Sequence, residues 1–151
     1  DSGYDINDVK QPLRVVIDRN NYLNGKENIF SSKAKTLVFT TKNSKIKSKN
    51  SEICVMSKND LSDLNNIMRY LAEEKSINTL MVESGSVLLD ALLAQELIDE
   101  LILYRAPKIL GEDRNTFSKF SQNNQKLSTI SLTIGDMENL GEDLKITLTP
   151  N

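Results

Sequence analysis

Short β-branched runs alternate with polar, turn-rich segments through the first third of the chain. Pro12-Leu-Arg-Val-Val-Ile-Asp18 reads as a buried strand that runs out into the turn residues Arg19-Asn-Asn-Tyr-Leu-Asn-Gly25. Thr36 to Thr41 and Glu52 to Met56 read as two more strands, flanking a Lys-, Ser- and Asn-rich connection with no helix between them. From Asn59 the period lengthens. Leu61, Leu64, Ile67, Met68 and Leu71 fall on one face of a helical repeat, with Asn59 or Asp60 placed to cap it. Asn78 to Glu83 then reads as a strand, and Ser84-Gly85-Ser86 as a turn. Val87, Leu88, Ala91 and Leu92 read as the buried stripe of a second helix that runs to Glu96. Glu100 to Tyr104 is a further strand, and this order of elements predicts a parallel, helix-covered sheet. Ala106-Pro107 and the Gly111-Glu-Asp-Arg114 turn open an irregular polar stretch through Gln125. The alternating runs Ile130/Leu132/Ile134 and Leu144/Ile146/Leu148, joined by a segment with Gly135 and Gly141, predict an antiparallel hairpin at a sheet edge. The expected architecture is α/β, a mixed, mostly parallel sheet with two helices and no second domain boundary.

Composition narrows the function. A length of 151 residues suits one domain, and a net charge of −2 supplies no global positive field for nucleic acid or an anionic membrane. There is no His, so imidazole bases, Ser-His-Asp or Cys-His nucleophiles and His-ligated metal sites are excluded from this chain. The lone Cys54, between Ile53 and Val55, reads as a structural thiol on a strand. The longest apolar stretch, Val87 to Leu93, is interrupted by Asp90 and falls far short of the ~20 residues that cross a bilayer. A soluble, cytoplasmic protein is expected, with small molecules or proteins as partners and no metal.

The segment Glu83-Ser84-Gly85-Ser86 carries the most chemical information. A strand feeding a helix N-terminus offers free backbone N–H groups and the positive end of the helix dipole to an anion, and Gly85 would let backbone come close to a phosphate. An ordinary capped turn has the same composition. Glu83 stands where open α/β sheets place ligands, although an acid at this point also simply complements a helix dipole. Lys33, Lys35, Lys42, Lys45, Lys47 and Lys49 lie in one stretch with no acid, which could steer a phosphorylated cofactor or form a solvated loop. Arg19, just past the first strand, could clamp a phosphate or be an exposed turn residue. The Tyr and Phe residues are dispersed, read as core filler, and are expected to form no stacking platform for bases.

The run from Leu80-Met-Val-Glu-Ser-Gly-Ser-Val-Leu-Leu-Asp-Ala through Asp99-Glu-Leu to Ala106-Pro-Lys-Ile-Leu-Gly111 resembles the reductase domain of the bacterial bifunctional riboflavin-biosynthesis deaminase/reductase. Gln11 to Asp18 is similar to that family's first strand after its substrate loop. The resemblance implies a dihydrofolate-reductase-like fold. It also implies NADPH-dependent reduction of the ribose of 5-amino-6-(5-phosphoribosylamino)uracil to a ribityl chain. By the same resemblance Gly85, Ser86, Val87, Leu88, Leu89, Asp90 and Ala91 lie along the cofactor pyrophosphate, and Arg19 lies towards its adenosine-phosphate end. Glu83 meets the substrate and is the candidate catalytic residue, and Asp1 matches the acid that opens the family's substrate loop. Two departures stand out: Ser84 precedes Gly85 where the family has Gly or Ala, and Gly3 replaces a Pro of the substrate loop, whose Arg position falls on Asn7 or Asp8. The family's domain begins with an additional strand and helix, and a deaminase half precedes them. The chain is therefore expected to be N-terminally truncated relative to the family, fused to a deaminase domain in the full protein, and homodimeric.

Two other functions fit the same fold. One is reduction of the related diamino-pyrimidinone ribotide. The other is a catalytically inactive binding or dimerisation module, whose edge hairpin would offer apolar surface to a partner chain.

Overall fold

A computed structural model of the chain describes residues 11–30, 34–109 and 130–151. It divides between Ser76 and Ile77 into two compact units.

The first unit is built on a three-stranded parallel sheet of β1 (Arg14–Asp18), β2 (Thr36–Thr40) and β3 (Ser51–Val55), in that spatial order. The three expected strands are present, each within a residue or two of its expected bounds. β2 is central and wholly buried, which explains its unbroken Thr-Leu-Val-Phe-Thr run. Helix α1 (Leu64–Glu73) buries Leu64, Ile67 and Leu71, and an edge-to-face contact of Tyr70 with Phe39, at 5.4 Å between centroids, ties it to β2. The expected cap at Asn59 or Asp60 is corrected to Asp63, whose side chain accepts the Asn65 N–H. The reason is local: Ser57 and Asp60 close a turn of their own. The Ser57 hydroxyl donates to Asp60 at 2.7 Å and accepts its N–H, and this turn sinks Leu61 into the core before the helix begins.

The second unit holds helix α2 (Ser86–Ala94) and an antiparallel sheet of β4 (Leu101–Arg105), β5 (Leu132–Leu140) and β6 (Asp143–Pro150), ordered β4-β6-β5. The terminal hairpin is as expected, with a bulge at Gly135 and a turn at Gly141, whose φ is +66°. The placement of β4 in a parallel sheet is corrected, because β4 pairs antiparallel with β6. Leu101 lies opposite Leu148 and Leu103 opposite Ile146, so the two strands match apolar residues across one face. The expected strand over residues 78–83 is not formed. Leu80, Met81 and Val82 are exposed, and this segment has no ladder partner among the described residues; its apolar alternation is an extended chain, and only pairing would make it a strand. The buried face of α2 is corrected in part: Leu92 is buried as expected, but Leu89 is buried and Val87 is 74% exposed, because a helix apolar on nearly every side gives its periodicity no single face to select. It ends at Ala94, two residues before the expected limit, where Glu96 turns to positive φ.

No helix among the described residues is long and apolar enough to cross a membrane.

Candidate active site

The site expected at the start of α2 has the following local form. Gly85 is the N-cap, in extended conformation, and no side chain caps the helix. The Leu89 N–H is taken by the Gly85 carbonyl, so the N–H groups of Ser86, Val87 and Leu88 are those of a first helical turn, which lie beyond the reach of intrahelical acceptors. Glu83, Ser84 and Gly85 are exposed, Ser86 and Leu88 half-buried. Gly85 has φ −78°, open to any residue, and a Cβ built on it meets nothing within 4 Å. The fold itself therefore does not demand glycine at this position. Of the other residues assigned to the cofactor, Leu89 faces the core, and Asp90 and Ala91 are half-buried one turn further on.

Arg19 lies in the first unit, immediately past β1, and is exposed. It belongs to a rim of cations. Each of the three parallel strands is followed at its carboxyl end by an exposed basic residue: Arg19 after Asp18, Lys42 after Thr40, and Lys58 after Val55. Because Asp18, Thr40 and Val55 stand in register, the rim crosses three adjacent strands. Carboxyl ends of parallel strands are where open α/β sheets receive ligands. Within the lysine stretch, Lys47 brings its backbone close to the loop after β1, since a Cβ on Gly25 would lie 3.0 Å from the Lys47 nitrogen. In that loop Glu27 accepts the N–H groups of Asn24 and Gly25. Its own backbone N–H, and then those of Asn24, Gly25 and Lys26, hold its carboxyl below the usual range, with burial opposing.

Cys54 is half-buried on β3 and burial pushes its thiol up; a hydrogen bond with Tyr70 and the charge of Lys75 act the other way. That is the environment of an inert thiol, as its flanking residues suggest. No cluster of His, Cys, Asp or Glu among the described residues is arranged to hold a metal ion. Asp1, the substrate-loop positions Gly3, Asn7 and Asp8, Lys33, and the Gly111 to Gln125 stretch lie outside the described residues.

The feature that sequence reasoning missed is the anchoring of the Arg19 loop by Asp18, Asn21 and Thr40. Its one sequence signal is the acid that closes an otherwise apolar strand.

Residues 2–146 match the family described as the RibD C-terminal domain. The chain is 30% identical over 143 residues to the 5-amino-6-(5-phosphoribosylamino)uracil reductase of Buchnera aphidicola, covering 93% of this chain and 69% of that one. It is likewise 30% identical over 145 residues to the riboflavin biosynthesis protein RibD of Haemophilus influenzae, where it spans 94% of its own length but 38% of the relative's. The solved structure of Acinetobacter baumannii RibD superposes with a TM-score of 0.83 at 23% identity, over 99% of this chain and 41% of that one, which shows the dihydrofolate-reductase-like fold. A family match over nearly the whole chain, agreeing with both relatives and fold, leaves one assignment: the chain belongs to the RibD C-terminal domain family, a family of reductases.

Proposed function

We propose that this chain is the reductase domain of riboflavin biosynthesis, using NADPH to reduce the ribose of 5-amino-6-(5-phosphoribosylamino)uracil to the ribityl product. Bound NADPH would supply the hydride that reduces C1 of the ring-opened sugar, the electron pair of its C1=N bond passing to nitrogen, which takes up a proton. The chain's own part is to bind, orient and exclude water. Ser86, Val87 and Leu88 offer first-turn N–H groups to pyrophosphate oxygens, Arg19 answers the extra phosphate of the adenosine end, and Glu83, two residues before Gly85, orients the substrate or relays its proton. Residues 1–151 are read as one reductase domain, which the family match over residues 2–146 supports. A second copy of the chain and an accompanying deaminase domain complete the proposed assembly.

The observation that carries this reading is Gly85: a glycine that neither its φ nor its neighbours require, opening an uncapped helix two residues after an exposed acid. Backbone approach by a phosphate gives that glycine a reason. Gly85→Ser tests it, because Ser is a good N-cap and the space for its Cβ is open. Melting temperature should hold or rise while NADPH affinity falls about tenfold or more, the equivalent of ~1.4 kcal/mol. Undiminished NADPH binding by this variant would remove the pyrophosphate from α2. Activity itself is read as loss of reduced nicotinamide absorbance with the aminouracil ribotide, and competition with the diamino-pyrimidinone ribotide separates the sister reaction.

A further inference from the structure

The loop after β1 is held by a buried acid that the proposed chemistry does not use. Asp18 is 6% exposed; its Oδ1 accepts the Tyr22 N–H at 2.9 Å and its Oδ2 the Leu23 N–H at 3.0 Å. Thr40, fully buried on the neighbouring strand and opposite Asp18 in register, shares its one hydroxyl proton between the Asp18 carbonyl at 3.0 Å and Asn21 Oδ1 at 2.9 Å. The Asn21 amide donates in turn to the Thr41 hydroxyl at 2.5 Å, and Asn21 sits at φ +57°, where most residues are strained. Residues 18–23 are thus tied down at Asn21, Tyr22 and Leu23. Between and beyond these ties Arg19 is exposed and Tyr22 is 81% exposed.

This arrangement runs against what stability alone would select. Desolvating a carboxylate is costly, and both its oxygens are spent on backbone N–H groups, while the aromatic side chain of Tyr22, whose backbone it holds, is left in water. Tyr can supply a base-stacking face at low conformational cost, and Arg a planar fork for a phosphate. We propose that Asp18 and Thr40 are positioning residues for nucleotide recognition: they fix the loop so that Arg19 and Tyr22 are presented together at the carboxyl end of β1, Arg19 to the phosphate on the adenosine ribose and Tyr22 to the face of the adjoining adenine. This inference rests on the nicotinamide-cofactor reading above, and it adds to it a base platform and the residues that hold it.

The test uses the full chain and dissociation constants for NADPH and NADH, with melting temperature alongside. Tyr22→Ala should weaken both cofactors by a similar factor of about five to tenfold, since both carry adenine. Arg19→Ala should weaken NADPH alone. Thr40→Val, which keeps shape and loses the hydroxyl, should weaken both and lower the preference for NADPH, and Thr40→Ser should restore them. Asn21→Gly keeps the positive φ while cutting the ties to Thr40 and Thr41, so it should reproduce the Thr40→Val binding defect even if that variant folds poorly. A Thr40→Val or Asn21→Gly protein with a lower melting temperature but unchanged affinities would overturn the inference and reduce the network to a structural tie. Tyr22→Ala without effect on either cofactor would overturn the base platform. A parent chain that binds neither cofactor brings down the cofactor reading itself, and this inference with it; parent binding with unaffected variants brings down only the inference.

Discussion

Glu83 and Cys54 show how differently two reactive side chains can be placed in one small protein. Glu83 is exposed, at the mouth of a helix whose first turn offers N–H groups to an anion. A carboxylate there for the dipole alone would be worth under about 1 kcal/mol, visible in melting temperature and not in rate. If it handles substrate, Glu83→Gln keeps shape and NADPH affinity and lowers turnover. The loss should be about a hundredfold or more if the carboxyl relays a proton, and should fall mainly on KM if it only orients. Steady-state kinetics beside a melting curve separate the two, and full activity with a lower melting temperature would make Glu83 structural. Cys54 is the opposite case. Burial raises its thiol above the ordinary range, with the Glu52 carboxylate adding to the shift, so it should react with a disulfide reagent well below the rate of a free thiol at neutral pH. A folded pKa above the unfolded one means that the associated stability is complete below the unfolded thiol's pKa and is lost as pH rises through the folded value. Cys54→Ser should flatten that alkaline loss; reaction of the native thiol at the rate of the denatured chain would contradict the burial that raises it.

At the scale of the element, legibility in the sequence followed the number of faces an element buries. The Leu37-Val-Phe39 centre of β2 is apolar without a polar alternate because both faces of the strand are covered, and α1 is strongly amphipathic because only one of its faces is, so both were legible. α2 was legible as a helix and not as a face, since Val87, Leu88, Leu89, Leu92 and Leu93 surround it. The segment 78–83 has the composition of a strand, but strand formation depends on a neighbour that local pattern cannot reveal. The Asp18 network was illegible for a related reason: it joins β1 to β2 across residues 18–40 of the chain. Gly25 carries the sharpest prediction at this scale. Its φ of +92° disfavours any side chain, and a Cβ would meet the Lys47 backbone at 3.0 Å, an atom that cannot swing aside. Gly25→Ala should cost about 1–2 kcal/mol from the backbone conformation alone. That corresponds to about 2–4 °C for each kcal/mol in a chain of this size, with the contact adding to it. Gly141→Ala, at φ +66° with nothing within 4 Å, isolates the conformational cost and should be the milder of the two in thermal melts. Equal losses would mean that the Lys47 contact relaxes freely.

For the whole molecule, the balance of charge is the property that matters to cofactor choice. The chain is acidic overall, yet the stretch from residue 33 to 49 holds six lysines and no acid, and Lys42 joins Arg19 and Lys58 on the rim of the parallel sheet. On the proposed function, two physically different sources of NADPH preference are expected. A direct Arg19 fork on the extra phosphate, as proposed, would be short-ranged and worth about 1.5–3 kcal/mol, or one to two decades of affinity. The diffuse field of the lysines acts across solvent, where the screening length falls from about 10 Å at 0.1 M salt to about 3 Å at 1 M. The two respond differently to ionic strength. If the lysine field dominates, raising salt over that interval should erode the NADPH to NADH affinity ratio several-fold and leave NADH binding less affected, because NADH lacks the extra phosphate. If the Arg19 fork dominates, the ratio should largely survive salt and collapse in Arg19→Ala. Titrations of both cofactors at low and high salt, in the parent and in Arg19→Ala, read the two contributions separately. With the rim and the fork on one sheet end, both should be present: a ratio that falls with salt in the parent, and in Arg19→Ala a smaller ratio that salt abolishes. A ratio near one in the parent at low salt would place the adenosine phosphate away from this rim altogether.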